Sequence, residues 1–154
     1  MSRINYSKAL DREIQSLSER GIRPRLLLHS CCAPCSSYVL EYLREYFHIT
    51  VFYYNPNITD SSEYAYRLAE EKRLIEEYNR QVEEQDLTGM HSTSEAMKID
   101  ILEAPYDPER YLAAVRGLEE CPEGGDRCGS VSRSGLARQP GLPGRADSTS
   151  LRRL

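Results

Sequence analysis

The run Leu26-Leu27-Leu28-His29-Ser30-Cys31-Cys32-Ala33-Pro34-Cys35-Ser36-Ser37 sets the strongest limit on how this chain can fold. Its apolar part is short enough for one buried strand, and the amphipathic segment Tyr38 to Phe47 follows at once with helical spacing. Three thiols therefore fall on a strand-to-helix turn. In an open α/β sheet that turn lies at the carboxyl edge, where ligands bind, and the free N–H groups at the helix start favour thiolates. Such a turn suits redox or metal chemistry.

The flanking pattern extends the same architecture. Tyr6 to Arg20 carries Leu10, Ile14 and Leu17 at helical spacing, and Gly21 fits a helix stop. Arg25 to His29 is the first strand, Pro34 suits the first turn of the next helix, and Val39, Leu40, Leu43 and Phe47 form that helix's apolar stripe. His48 to Tyr54 is rich in β-branched and aromatic residues and predicts a second strand, ended by Asn55-Pro56-Asn57. Ser61 to Asn79 predicts a helix capped at Ser61 or Ser62, with its stripe at Ala65, Leu68, Ala69 and Ile75. Gln81 to Met97 has weak periodicity and predicts a loop with at most a short helix. Lys98 to Leu102 predicts a third strand and Pro108 to Gly117 a further helix. Strands alternating with helices imply an α/β fold with a parallel, doubly wound sheet.

Composition narrows the setting. No apolar run approaches membrane-spanning length, and Met1-Ser2-Arg3-Ile4-Asn5-Tyr6 lacks the apolar centre of a secretory signal, which predicts a cytoplasmic protein with no membrane partner. Neighbouring cysteines cannot bridge usefully to one another, so the cluster is not a secreted disulfide framework. In a reducing compartment it points to metal binding or catalysis. The net charge of −4 argues against general nucleic-acid binding, so a nucleic-acid partner would be recognised through a local patch.

The chain changes character after Cys128. Residues 129 to 154 contain no Glu, Lys, Ile, Phe or Tyr and are built of Gly, Ser, Arg, Pro and Leu; this segment carries +4, leaving −8 on residues 1 to 128. Such a composition buries too little apolar area to offset chain entropy, which predicts a disordered tail after an α/β domain at 1–128.

Several motifs follow one another in order: Cys31-Cys32-Ala33-Pro34-Cys35-Ser36, Phe52-Tyr53-Tyr54-Asn55-Pro56-Asn57-Ile58, Glu63-Tyr64 through Arg67, Tyr106-Asp107-Pro108, and Gly117-Leu118-Glu119 with Glu123-Gly124-Gly125-Asp126-Arg127-Cys128. In this order the chain resembles the cobalamin-independent epoxyqueuosine reductase family, QueH. The resemblance implies a Rossmann-like, nucleotide-hydrolase-type fold and an iron–sulfur (4Fe–4S) cluster with an additional iron beside it. It also implies reduction of the epoxide of epoxyqueuosine in a tRNA, with electrons from an unidentified donor. By matching positions, the cluster ligands it implies are Cys31, Cys32 and Cys128, with Cys35 placed to serve the additional iron. The metal-binding set is then Cys31, Cys32, Cys35 and Cys128; Tyr106 and Asp107, on the loop after the third strand, lie at the carboxyl edge of the sheet and join Cys35 in the catalytic set as proton donors or substrate-positioning residues.

Family members continue past the last matched cysteine to another cysteine and a Phe, then a helix and a Thr-rich strand, whereas this chain has Gly129-Ser130-Val131-Ser132. The missing fourth thiolate falls on Val131, which cannot ligate iron. Gly-Ser-Val-Ser can be written GGG TCT GTT TCC, and one restored C gives CGG GTC TGT TTC, which reads Arg-Val-Cys-Phe. Ser148 to Leu154 back-translates to a Thr-Thr-Thr run in the same alternative frame. The expectation is a frameshift near codon 129, with the C-terminal part of the fold lost and catalysis impaired.

Each site residue has a plainer competitor. Cys32-Ala33-Pro34-Cys35 is also the Cys-x-x-Cys of a thiol–disulfide redox protein using Cys32 and Cys35. Cys121 reads as incidental, and His29 as a packing or capping residue. Asn55, Asn57 and Glu63 suit turns and caps as well as nucleoside contacts. Arg67 and Arg127 suit carboxylates as well as phosphates.

Overall fold

The computed structural model describes residues 5–87 and 95–118. The chain divides into two compact units, Met1–Tyr106 and Asp107–Leu154. The first unit contains α1 (Tyr6–Glu19), β1 (Arg25–His29), α2 (Ala33–Leu43), β2 (His48–Tyr53), α3 (Ser61–Glu84) and β3 (Asp100–Glu103). The described part of the second is α4 (Pro108–Val115), started by the Asp107 side chain, which accepts from the Arg110 N–H. Cys121, Cys128 and the tail 129–154 lie outside the described residues, as do residues 88–94 of the expected loop.

The three strands form a parallel sheet in the order β1-β2-β3. Register follows the apolar alternation: Leu26 pairs with Ile49, Leu28 with Val51, and Val51 with Ile101, so these side chains share one face. Ile14 of α1, Leu40 and Leu43 of α2, and Ile75 and Tyr78 of α3 close over Ile49 and Val51 in a single core cluster. The fold is α/β and Rossmann-like, as expected. In the described part of the first unit α1, α2 and α3 share one face, while Leu27 and Leu102 on the other are 50% and 43% exposed. Two successive right-handed crossovers that step the same way along a sheet put both helices on one side.

The element boundaries differ from expectation where apolar periodicity is a poor guide. Helix α2 begins at Ala33 with Pro34 in its first turn, as expected, but Val39 of the expected stripe is exposed. Helix α3 continues to Glu84, through the first residues of the expected loop. The extension rests on charge pairs: Arg80 binds Glu77 and Glu84 across one turn, and Lys98 reaches Glu83 at 2.5 Å. Such pairs support a helix with no apolar stripe. Gln85 ends it in the left-handed conformation at φ 55°.

The start of α3 rests on Asp60, whose side chain accepts from the Ser62 hydroxyl and from the Ser62 and Glu63 N–H groups at 2.6, 2.8 and 3.0 Å. These bonds, the Ser62 hydroxyl first, hold the Asp60 carboxyl below its ordinary value. A carboxyl with a depressed folded pKa contributes stability above the ordinary carboxylate pKa of about 3.9, and that contribution is lost as pH falls through the folded value. Asp60→Ala should therefore lower Tm by a few degrees near neutral pH, and the gap from the native chain should close below the carboxylate range. Thermal unfolding followed by circular dichroism at the two pH values checks this; an equal gap at both would remove the linkage.

Candidate metal centre

Because the sheet is parallel, the carboxyl ends of all three strands open on one edge. Strand β1 delivers Ser30, Cys31 and Cys32 there, β2 delivers Tyr54 and Asn55, and β3 leads to Tyr106. The sulfurs of Cys31, Cys32 and Cys35 lie within 4.8 Å of one another. Cys32 occupies the cap position of α2 in an extended conformation, and its carbonyl accepts from the Cys35 and Ser36 N–H groups, both at 3.2 Å. One tight turn thus folds Cys35 back over the adjacent pair.

The loop is tied to its surroundings by polar bonds. Asn55, 1% exposed, donates from Nδ2 to the Ser30 carbonyl at 2.8 Å, and the Tyr53 hydroxyl donates to the Cys31 carbonyl at 3.4 Å. His29 Nε2 is 2.9 Å from the Tyr54 carbonyl. Asn55 therefore serves the loop, and Glu63 pairs with Arg67 at 2.6 Å across one turn of α3.

The three thiols are electrostatically unequal. Cys32 is held below the ordinary thiol value, first by the hydrogen bond from Cys35 and further by the Cys35 N–H, the Cys31 thiol and the charge of Arg67. Cys35, which donates that bond, is pushed up to about 11. Cys31 is raised, first by burial. Cys32 is the natural first thiolate, with two neighbouring thiols and a guanidinium arranged about it.

The donor set fits a soft metal. Sulfurs around one tetrahedral ion with bonds of about 2.3 Å stand ~3.8 Å apart, and the Cys31 and Cys32 sulfurs are 3.8 Å apart. A four-iron cluster takes one thiolate on each iron, so these side chains supply part of such a set.

Tyr106 stands on the same edge, its ring stacked on Tyr64 with centroids 4.0 Å apart and its hydroxyl donating to the Ile58 carbonyl at 2.8 Å. Tyr64 in turn meets Tyr53 edge-on at 5.5 Å. Asp107 begins the second unit as the cap of α4. A cleft of about 430 Å³ lined by Leu17, Gly21, Ile22, Arg23, Glu45 and Tyr46 lies by the amino ends of the strands, away from every described thiol. The residues that sequence reasoning missed are Ser36, Glu71 and Arg44. A Ser in a helix and an acid in a charge-rich helix carry no signal until the tertiary partner is known.

A parallel α/β sheet with three converging thiols at its carboxyl edge is the architecture of an α/β protein with a candidate metal or redox site. The chain belongs to the epoxyqueuosine reductase QueH family: the family profile matches residues 26–139. It is 40% identical over 126 residues to an epoxyqueuosine reductase QueH of Streptococcus pyogenes serotype M1, covering 82% of this chain and 44% of the relative. It is 39% identical over 128 residues to that of Staphylococcus epidermidis, covering 82% and 48%, and 35% identical over 105 residues to that of Acinetobacter baylyi, covering 68% and 39%. The chain thus spans less than half the length of these relatives. No solved structure matches it. Among the described residues no helix is long and apolar enough to cross a membrane.

Proposed function

We propose that this chain is the thiolate-bearing part of an iron–sulfur oxidoreductase that reduces the epoxide of epoxyqueuosine in tRNA to queuosine, acting in the cytoplasm. The observation that carries the reading is the convergence of Cys31, Cys32 and Cys35 at the carboxyl edge of the sheet in a chain whose relatives bear that enzyme's name. Cys31, Cys32 and Cys128 would hold a 4Fe–4S cluster and Cys35 the additional iron. When bound, that group supplies electrons from an external donor and a Lewis acid for the departing oxygen.

The reaction takes two electrons and two protons, breaks both C–O bonds of the epoxide, forms the alkene and releases the oxygen as water. The protein's own share is to hold the substrate and deliver protons. Tyr106 and Asp107 follow the carboxyl end of β3, and we assign them to substrate positioning and proton delivery. Arg67, whose charge acts on Cys32, is suited to an anionic group of the substrate beside the thiols. Val131 stands where the fourth thiolate is expected, so the chain as it is should bind the cluster weakly and turn over poorly.

Anaerobic reconstitution with iron and sulfide tests the reading. The native chain should become brown with broad visible absorption, and Val131→Cys should raise bound iron and sulfide severalfold. A chain that takes no iron, yet forms a reversible Cys32–Cys35 disulfide and reduces insulin, would replace this reading with that of a thiol–disulfide protein. Sequencing the gene across codon 129 tests the frameshift: a second frame without Cys-Phe just after codon 128 overturns it.

A further inference from the structure

Glu71 lies in the middle of α3 and is 0% exposed, yet its carboxylate faces no cation among the hydrogen bonds and ion pairs of the described residues. A carboxylate taken out of water without a counter-ion is costly unless it is hydrogen-bonded. Its partner is the Ser36 hydroxyl, 2.8 and 3.0 Å from the two carboxylate oxygens and itself on a residue only 6% exposed. A leucine would fill the same space at lower cost, so the carboxylate invites an explanation in what Ser36 does.

Ser36 directly follows Cys35 and sits in the first turn of α2. Its hydroxyl is 3.2 Å from the Cys32 carbonyl and 3.3 Å from the Ala33 carbonyl, and its N–H donates to the Cys32 carbonyl. A helical serine ordinarily turns its hydroxyl back onto these carbonyls of its own helix. Here the same hydroxyl is drawn to Glu71, 35 residues away in sequence. One hydroxyl thus joins the turn that carries the thiols to the buried side of α3. Two helical turns further along, Tyr78 of α3 donates from its hydroxyl to the Ser37 carbonyl at 3.1 Å and fastens the next residue to the same helix.

We propose that Glu71 is a positioning residue: through the Ser36 hydroxyl it fixes the Cys32–Cys35 turn in the geometry that brings the three sulfurs together. The part of this inference that concerns metal rests on the reading of the thiols as a metal site. The part that concerns the turn does not.

The experiment uses the full reduced chain, with Co²⁺ as the metal probe under anaerobic conditions. Separately, iodoacetamide alkylation of Cys31, Cys32 and Cys35 in the metal-free chain is resolved by mass spectrometry. Glu71→Leu and Ser36→Ala should each weaken Co²⁺ binding by about 10-fold, the lower end of what loss of a supporting contact costs a metal site. They should also change the cobalt d–d bands and speed alkylation of the half-buried Cys31 and Cys32 severalfold. Glu71→Gln should restore both readouts, because its amide oxygen accepts the same hydroxyl proton in the same volume. Either single substitution leaves a buried polar group unpaired and threatens the fold. The Ser36→Ala, Glu71→Leu double variant removes both partners and is the better-tolerated form, and it should show the same loosened turn. If native alkylation rates and cobalt spectra persist in the double variant, the positioning role is overturned. If alkylation changes as expected but the native chain binds no Co²⁺ through these thiols, the positioning role stands and the metal reading falls.

Discussion

Replacing Cys32 with serine should cost the reconstituted chain at least about 10-fold in bound iron, a larger loss than any other single thiol substitution causes. The magnitude follows from comparison: loss of a contact that merely supports a ligand costs ~10–100-fold in metal affinity, and a ligand itself should cost no less. A serine hydroxyl is a hard, protonated donor near neutral pH and does not replace a soft thiolate. Cys32 ranks first because the other groups act on it: Cys35 and Cys31 hydrogen-bond to its sulfur and Arg67 adds positive charge. Cys35→Ser, at the exposed end of the cluster, should lose the additional iron while retaining cluster absorption. Cys121→Ser should lose nothing. Iron and sulfide per chain, with the visible spectrum, separate these cases. If Cys121→Ser removed as much iron as Cys32→Ser, the thiol turn would not be the principal site.

What the sequence made legible is what local pattern encodes. The apolar run Leu26 to Leu28 with its cysteines marked a strand, a turn and a helix start, and the structure has β1, the three converging sulfurs and α2 in that order. The second strand was recognisable from the β-branched and aromatic residues between His48 and Tyr54, and in β2 Ile49, Val51 and Tyr53 are the buried ones. Pattern failed where the stabilising partner is distant or the periodicity is not apolar. The last turn of α3 is held by Arg80, Glu77 and Glu84 rather than by a stripe. Val39 looked like core because it is apolar, but the face of α2 that is buried carries Ser36, Leu40 and Leu43. Ser36 and Glu71 form one unit only after α3 is laid against α2.

Arg44 is the clearest case of a residue whose role is invisible in one dimension, and Arg44→Ala should cost about 3–5 kcal/mol of stability, the range for breaking a buried charge pair. The residue caps the carboxyl end of α2 and is 0% exposed, with no apolar reason to be inside. Its guanidinium donates to the Tyr78 carbonyl at 3.0 Å and to the Gln81 side chain at 3.4 Å, and it lies over the Tyr78 ring at 4.5 Å from the centroid. Its own carbonyl accepts the Met97 N–H at 2.9 Å, so one residue joins α2, α3 and the approach to β3. Burial pulls its pKa below the ordinary arginine value, while the charges of Glu41 and Glu45 act in the opposite direction. Glu41 is itself only 8% exposed. Truncation at Arg44 therefore removes the contacts to Tyr78 and takes a cation away from a buried acid. In urea the midpoint should fall with little change in slope, the pattern of lost stability without altered compactness. The Arg44→Met, Glu41→Met double variant should recover a good part of the loss, because two apolar side chains of similar volume avoid the desolvation that the charges incur. A single-variant loss below about 1 kcal/mol, or no recovery in the double variant, would mean that shape alone holds α2 against α3 and that the charge of Arg44 is dispensable.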